Sequence, residues 1–150
     1  MDITAMMTPE RIVSLGTTEK DAALIELADL LGTTTVVNDA NGFRNAILER
    51  EEILSTGIGQ EFAVPHAKIG SVTSFAIAIG ICAPGMEFGS LDKLPVRVIV
   101  MIAAPEGEQN TYLKVLRKVT EVLKVKANRA LILDLVAAGE KTQVIDLFKS

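Results

Sequence analysis

The sequence predicts an α/β layered domain built on a mixed β-sheet. Three observations carry this expectation. Apolar residues recur at helical spacing across residues 18–54, strand-like runs and turn signals fill the middle, and helical spacing returns from residue 111 onwards. The 150 residues hold no internal repeat, low-complexity tract or linker-like stretch, so a single domain over 1–150 is expected.

The first element is a helix over 18–31, with Thr18 and Asp21 placed as a capping box and Gly32 as a stop. Leu24, Leu27, Ala28 and Leu31 form its apolar stripe. A second helix is expected over 40–53, with Phe43, Ala46, Ile47 and Leu54 on one face. Residues 55–59, Ser-Thr-Gly-Ile-Gly, read as a turn in which two glycines permit positive φ. A short strand over 61–64 should end at Pro65-His66. A strand over 73–83 sets Phe75, Ile77, Ile79 and Ile81 on one side and the small residues Ser74, Ala76, Ala78, Gly80 and Cys82 on the other. The small side lets a helix or another backbone approach closely, and Ala83-Pro84-Gly85 should break the strand. Residues 96–103 are almost all apolar, as in a central strand covered on both faces, and Ala104-Pro105-Glu106-Gly107 ends them. Helices over 111–126, 130–138 and 142–149 close the chain. The first presents Tyr112, Val115, Leu116, Val119, Val122 and Leu123 on one face.

Composition narrows the function. With 49% hydrophobic residues and this length, the chain can build a core without a metal or disulfide staple. One cysteine, Cys82, excludes an intramolecular disulfide, and one Cys with one His excludes a Cys-based zinc site, so no metal is expected. No run approaches the roughly 18 apolar residues of a membrane span. The first ten residues lack the pattern of a signal peptide. A cytoplasmic protein without stable membrane insertion is therefore expected. The net charge of −4 argues against nucleic acid as the main partner. The basic residues Lys114, Arg117, Lys118, Lys124 and Lys126 read as a solvated helix face, with an acidic partner as the alternative. Cys82 reads as a buried structural thiol.

His66 is the first candidate for chemistry. A lone histidine is ordinarily a packed or surface residue, but this one follows proline at a strand end, just after a glycine-rich turn. A neutral imidazole is a nucleophile and can hold a phosphoryl group without a metal. Arg50 is the second. It lies seven residues after Phe43, four after Ala46 and four before Leu54, so it projects from the apolar stripe, while Glu49, Glu51 and Glu52 mostly do not. Its head either pairs with a structural carboxylate or forks onto phosphate oxygens near the glycine turn. The third is the turn itself. Backbone N–H groups of Gly57 and Gly59 can form an anion nest, and the Ser55 and Thr56 hydroxyls add donors. The turn is neither a Walker motif nor a dinucleotide fingerprint, and no Gly-x-Ser-x-Gly elbow supports serine hydrolysis.

Together, Arg50-Glu51, Ser55-Thr56-Gly57-Ile58-Gly59 and Ala63-Val64-Pro65-His66-Ala67 resemble the active-site signature of the fructose/mannitol-type enzyme IIA domain. That family belongs to the bacterial phosphoenolpyruvate-dependent phosphotransferase system and includes nitrogen-regulatory IIA proteins. Phe88-Gly89-Ser90-Leu91-Asp92 and Ala103-Ala104-Pro105 extend the resemblance over nearly the whole chain. It implies a mixed sheet flanked by helices in an α/β/α arrangement, and no cofactor. It implies that His66 accepts a phosphoryl group from HPr or a relative and passes it to a IIB domain, with Arg50 beside the phosphohistidine. A regulatory IIA protein that switches target proteins is the alternative. Two positions depart from the family pattern: Tyr112 stands where many members carry a second histidine, and Gly59-Gln60-Glu61 replaces a Gly-x-Gly turn. Tyr112 is accordingly expected to border the phosphate as a neutral donor.

Overall fold

The computed structural model describes residues 2–150. Two short 3-10 turns, Thr4–Met6 and Pro9–Arg11, lead into β1 (Ile12–Ser14). Then follow α1 (Lys20–Gly32), α2 (Ala40–Ile53), β2 (Gly57–Gly59), β3 (Phe62–Ala63) and β4 (His66–Ile69). The long strands β5 (Ala76–Met86) and β6 (Val96–Pro105) precede α3 (Gln109–Leu123), α4 (Lys126–Ala137) and α5 (Lys141–Asp146).

The six strands form one mixed sheet in the order β1-β5-β6-β3-β2, with β4 also pairing β6. β5 and β6 are antiparallel, β1 runs parallel to β5, and β3 and β4 both run parallel to β6. β3 and β4 lie one after the other along β6: Ala63 pairs with Ile99 and His66 with Ile102. Val64 and Pro65 interrupt them, and the Pro65 carbonyl still accepts the Ile102 N–H at 3.0 Å. Pro65 has no N–H to offer a ladder, which marks where the strand breaks.

Alternation along β6 builds two cores. Val98, Val100, Ile102 and Ala104 face Tyr112, Val115, Val119 and the α4–α5 residues Ile132, Val136 and Val144. Ile99, Met101 and Ala103 face Leu24, Leu27, Phe43 and Ile47 of α1 and α2. The sheet is thus sandwiched between α1–α2 and α3–α5, the α/β/α layering expected. The small side of β5 does admit a helix closely. A Cβ on Gly80 would lie 2.9 Å from Leu15 and 3.1 Å from Leu27 of α1. Cys82 is buried on that side.

Several local expectations are corrected. β1 is too short to show alternation and was not foreseen. No capping box forms at α1: the N-cap is Glu19, without a side-chain bond, and its N–H donates to Thr17 Oγ1 at 3.1 Å. α1 includes Gly32 and ends at Thr33 in right-handed geometry, so Gly32 is no left-handed stop. Leu54 is 64% exposed, because α2 ends at Ile53 and Leu54 is already extended. Residues 57–59 are a strand, and only Gly59 of the two glycines has positive φ. β5 continues through Ala83-Pro84-Gly85 to Met86 over a register shift. Its neighbour β1 ends opposite Ile81, so Pro84 has no partner on that side to deprive of a bond.

Candidate functional site

His66 opens β4 rather than closing the strand before it. The break at Pro65 turns the chain so that His66 Nδ1 lies 3.2 Å from the Val64 carbonyl oxygen. A carbonyl only accepts, so Nδ1 carries the hydrogen in this contact. That leaves the lone pair on Nε2. The imidazole is half-buried, and burial pushes its pKa below the usual histidine value. The bond to Val64 opposes this, Arg50 and Lys68 add to it, and Glu51 opposes it. The ring is therefore neutral near pH 7, the state a nucleophile needs.

Tyr112 comes from the opposite layer. It lies in the first turn of α3, on the buried face with Val115 and Val119, and is 4% exposed. Its ring meets the His66 ring at a centroid distance of 4.9 Å, tilted by 41°. Burial pushes its pKa up to about 12, against a smaller downward pull from Arg50, so the hydroxyl stays protonated. Arg50, in the last turn of α2, donates from Nη1 to the Leu54 carbonyl at 2.9 Å. The stem therefore snorkels towards a helix-end carbonyl, not a structural carboxylate. Its charge is felt by both His66 and Tyr112. Residues from α2, β4 and α3 thus meet at one place.

The segment 55–59 uses its donors internally. Ser55 Oγ donates to the Phe88 carbonyl at 2.7 Å and accepts from Gly57 N–H at 3.0 Å. Thr56 N–H and Oγ1 donate to the two Glu51 oxygens, each at 2.8 Å. Gly57 is there for space: a Cβ would lie 2.2 Å from Ser90 Oγ. In this conformation the segment is a frame tied to residues 88–92, and Ser55, Thr56 and Gly57 meet an anion only by exchanging these bonds.

A family model described as "Phosphoenolpyruvate-dependent sugar phosphotransferase system, EIIA 2" matches residues 6–150. The chain belongs to this EIIA family. It is 36% identical over 148 residues to the PTS system fructose-specific EIIABC component of Bacillus subtilis (strain 168), covering 98% of this chain and 23% of that protein. The chain thus spans under a quarter of that relative's length. It is 32% identical over 126 residues to a nitrogen regulatory protein of Bradyrhizobium diazoefficiens, covering 83% of this chain and 81% of the relative. Among solved structures, nitrogen regulatory protein IIA-Ntr from Neisseria meningitidis superposes with a TM-score of 0.87 at 21% identity, over 98% of this chain and 99% of that one. That last likeness concerns the fold.

Three features of this EIIA chain escaped the sequence reading. Glu51, placed on the solvent side, is 7% exposed. It follows Phe43 and Ile47 at four-residue steps, a signal the sequence did contain. Besides Thr56 it pairs with Lys20 Nζ at 3.1 Å, and Lys20 also donates to the Phe88 carbonyl at 2.9 Å. Lys68, two residues after His66, holds its ammonium 4.5 Å from the Tyr112 ring centroid. Glu61 lies in the left-handed region at φ 70°, next to Gln60 at φ 55°. It lines a cavity of about 390 Å³ with Arg97, Lys126 and Arg129. The charges that act on His66 are those of Arg50, Lys68 and Glu51. No helix among the described residues is long and apolar enough to cross a membrane.

Proposed function

We propose that the whole 150-residue chain is a cytoplasmic phosphocarrier domain and that His66 is its phosphoryl acceptor. The donor is an HPr-like protein carrying phosphohistidine, and the recipient is a IIB domain. The observation that carries this reading is the His66 Nδ1–H bond to Val64, which leaves Nε2 with its lone pair. The Nε2 lone pair attacks phosphorus in line, and the donor's P–N bond breaks with its electron pair returning to the donor imidazole. The second transfer repeats this with phospho-His66 as donor. Such transfer depends on positioning and charge neutralisation and calls on no cofactor or metal. Arg50 supplies positive charge and Tyr112 a neutral hydroxyl. Ser55, Thr56, Gly57 and Gly59 frame the phosphoryl pocket, with donors available by local exchange.

Exposed apolar side chains support docking of a protein partner at this end of the fold. Ile53 and Leu54 precede the framing segment, Ile58 lies within it, and Leu91 and Leu94 flank the residues packed on it; all are 47% exposed or more. Incubation with phosphoenolpyruvate, enzyme I and HPr should label the chain and leave the His66→Ala variant unlabelled. A variant that still accepts label removes His66 from this role.

The likeness to the Bradyrhizobium nitrogen regulatory protein favours a second reading, in which phosphorylation of His66 switches regulatory partners instead of feeding a IIB domain. Following label from phospho-His66 to candidate IIB domains separates the two: transfer supports the carrier, and retention supports the switch.

A further inference from the structure

We propose that Lys68 supplies a second positive charge to the phosphorylated site and that the face of Tyr112 holds it there. This rests on the reading of His66 as acceptor. His66 and Lys68 are two apart in β4, so both side chains leave the same face of the strand. Tyr112 is the contact they share. Its ring lies 4.9 Å from the His66 ring by centroids and 4.5 Å from Lys68 Nζ. An ammonium over a tyrosine face is attracted by the ring's negative π surface. Lys68 Nζ also donates to Gln109 Oε1, on the first residue of α3, so the helix that carries Tyr112 holds the ammonium from two sides.

The charge balance gives this arrangement its purpose. A phosphoryl group brings roughly two negative charges near neutral pH. Arg50 answers one of them, and one of its nitrogens already serves the Leu54 carbonyl. Tyr112 cannot carry charge, but its ring can hold a cation that does. Among the described residues no carboxylate lies within salt-bridge distance of Lys68, whereas Lys20, Arg44 and Lys149 each have one. Its ammonium is thus uncompensated. Lysine suits this place because its flexible stem lets the ammonium leave Gln109 for a phosphate oxygen without moving β4. In the unphosphorylated chain the same charge discourages protonation of His66 and keeps Nε2 free.

The test compares wild type, Lys68→Gln, Lys68→Arg and Tyr112→Leu in the full chain. The first readout is the phosphoryl-transfer equilibrium with phosphorylated HPr. The second is the lifetime of isolated phospho-His66, and the third is the imidazole pKa by NMR titration without phosphate. Lys68→Gln should shift the equilibrium towards phospho-HPr by about three- to tenfold, the scale of one partly solvated charge contact. It should also raise the His66 pKa, and Lys68→Arg should restore both. Tyr112→Leu should match Lys68→Gln in direction, and adding Lys68→Gln to it should change the equilibrium little. Lys68 is exposed, so the shifts of the Lys68 single variants should come without a change in thermal midpoint. A wild type labelled on His66, with Lys68→Gln unchanged in equilibrium, lifetime and pKa, overturns this proposal alone. A wild type labelled elsewhere, or not at all, overturns the reading of His66 and this proposal with it.

Discussion

Tyr112 lies in the first turn of α3 and His66 opens β4 after the break at Pro65, and their rings meet at 4.9 Å. The contact fixes which face of the imidazole is covered, while the Val64 carbonyl fixes which nitrogen carries the proton. If the tyrosine hydroxyl also donates to the phosphoryl group, Tyr112→Phe should lose about 0.5–1.5 kcal/mol of phosphoryl stabilisation, one net hydrogen bond. Tyr112→Leu should lose more, because the ring that holds Lys68 goes as well. The transfer equilibrium with phospho-HPr measures both, and equal effects would confine the role to the hydroxyl.

Arg50→Lys should keep the fold and slow phosphoryl transfer by about tenfold, since the charge remains and the planar fork is lost. Stopped labelling reactions give the rate, and thermal unfolding gives the control. An unchanged rate would mean that Arg50 acts through its charge and not through a planar fork.

Glu51 ties α2, Thr56 and Lys20 together below the site. Glu51→Ala strands the Thr56 N–H and hydroxyl in a buried place, at a cost of about 2–4 kcal/mol. Urea unfolding should show this as a lower midpoint with the same slope. A midpoint equal to wild type would mean that water replaces the carboxylate at no cost.

Glu61 sits at φ 70°, a conformation glycine adopts freely. Glu61→Gly should raise stability by about 0.5–1 kcal/mol, the relief of left-handed strain less the added freedom of the unfolded chain. Glu61→Ala keeps the strain and serves as the comparison. A loss in both variants would point to charge attraction in the cavity with Arg97 and Arg129 outweighing the backbone strain.

The depressed His66 pKa makes stability depend on pH. The unfolded chain binds this proton at an ordinary histidine value near 6.5. The folded chain binds it only at lower pH, so the unfolded state holds more protons between the two values. Stability should therefore be full above pH 6.5 and fall as the pH drops towards the folded value. His66→Gln should flatten that part of the profile in urea titrations between pH 7 and 5, and an unchanged slope would assign it to other groups.

The parts of the fold legible in the sequence are those where a long pattern meets a single periodicity. α2 runs over Ala40–Ile53 as its stripe predicts, and the apolar run of β6 is covered on both faces. The short pieces were not legible. β1 has three residues and β3 two, too few for alternation to register. Pro65-His66 reads as a strand end because proline stops a ladder, but β6 continues past it and recruits β4. Within the site, His66 and Arg50 could be picked out because each departs from the chemistry around it, and Tyr112 only through the resemblance that places a histidine at its position. Glu51 carried a signal in its four-residue steps after Phe43 and Ile47, whereas Lys68 carried none, since its contact is with Tyr112 on another element. The hydroxyls and N–H groups of 55–57 looked free because their acceptors lie on Glu51 and Phe88.

His66 is proposed to accept the phosphoryl group on Nε2. Phosphorylating isotopically labelled chain with phosphoenolpyruvate, enzyme I and HPr, and recording phosphorus and imidazole-nitrogen NMR, reads the bonded atom directly. One phosphohistidine is expected, bonded through Nε2, with Nδ1–H still donating to Val64. A phosphoryl group on Nδ1, or on any residue other than His66, would contradict it.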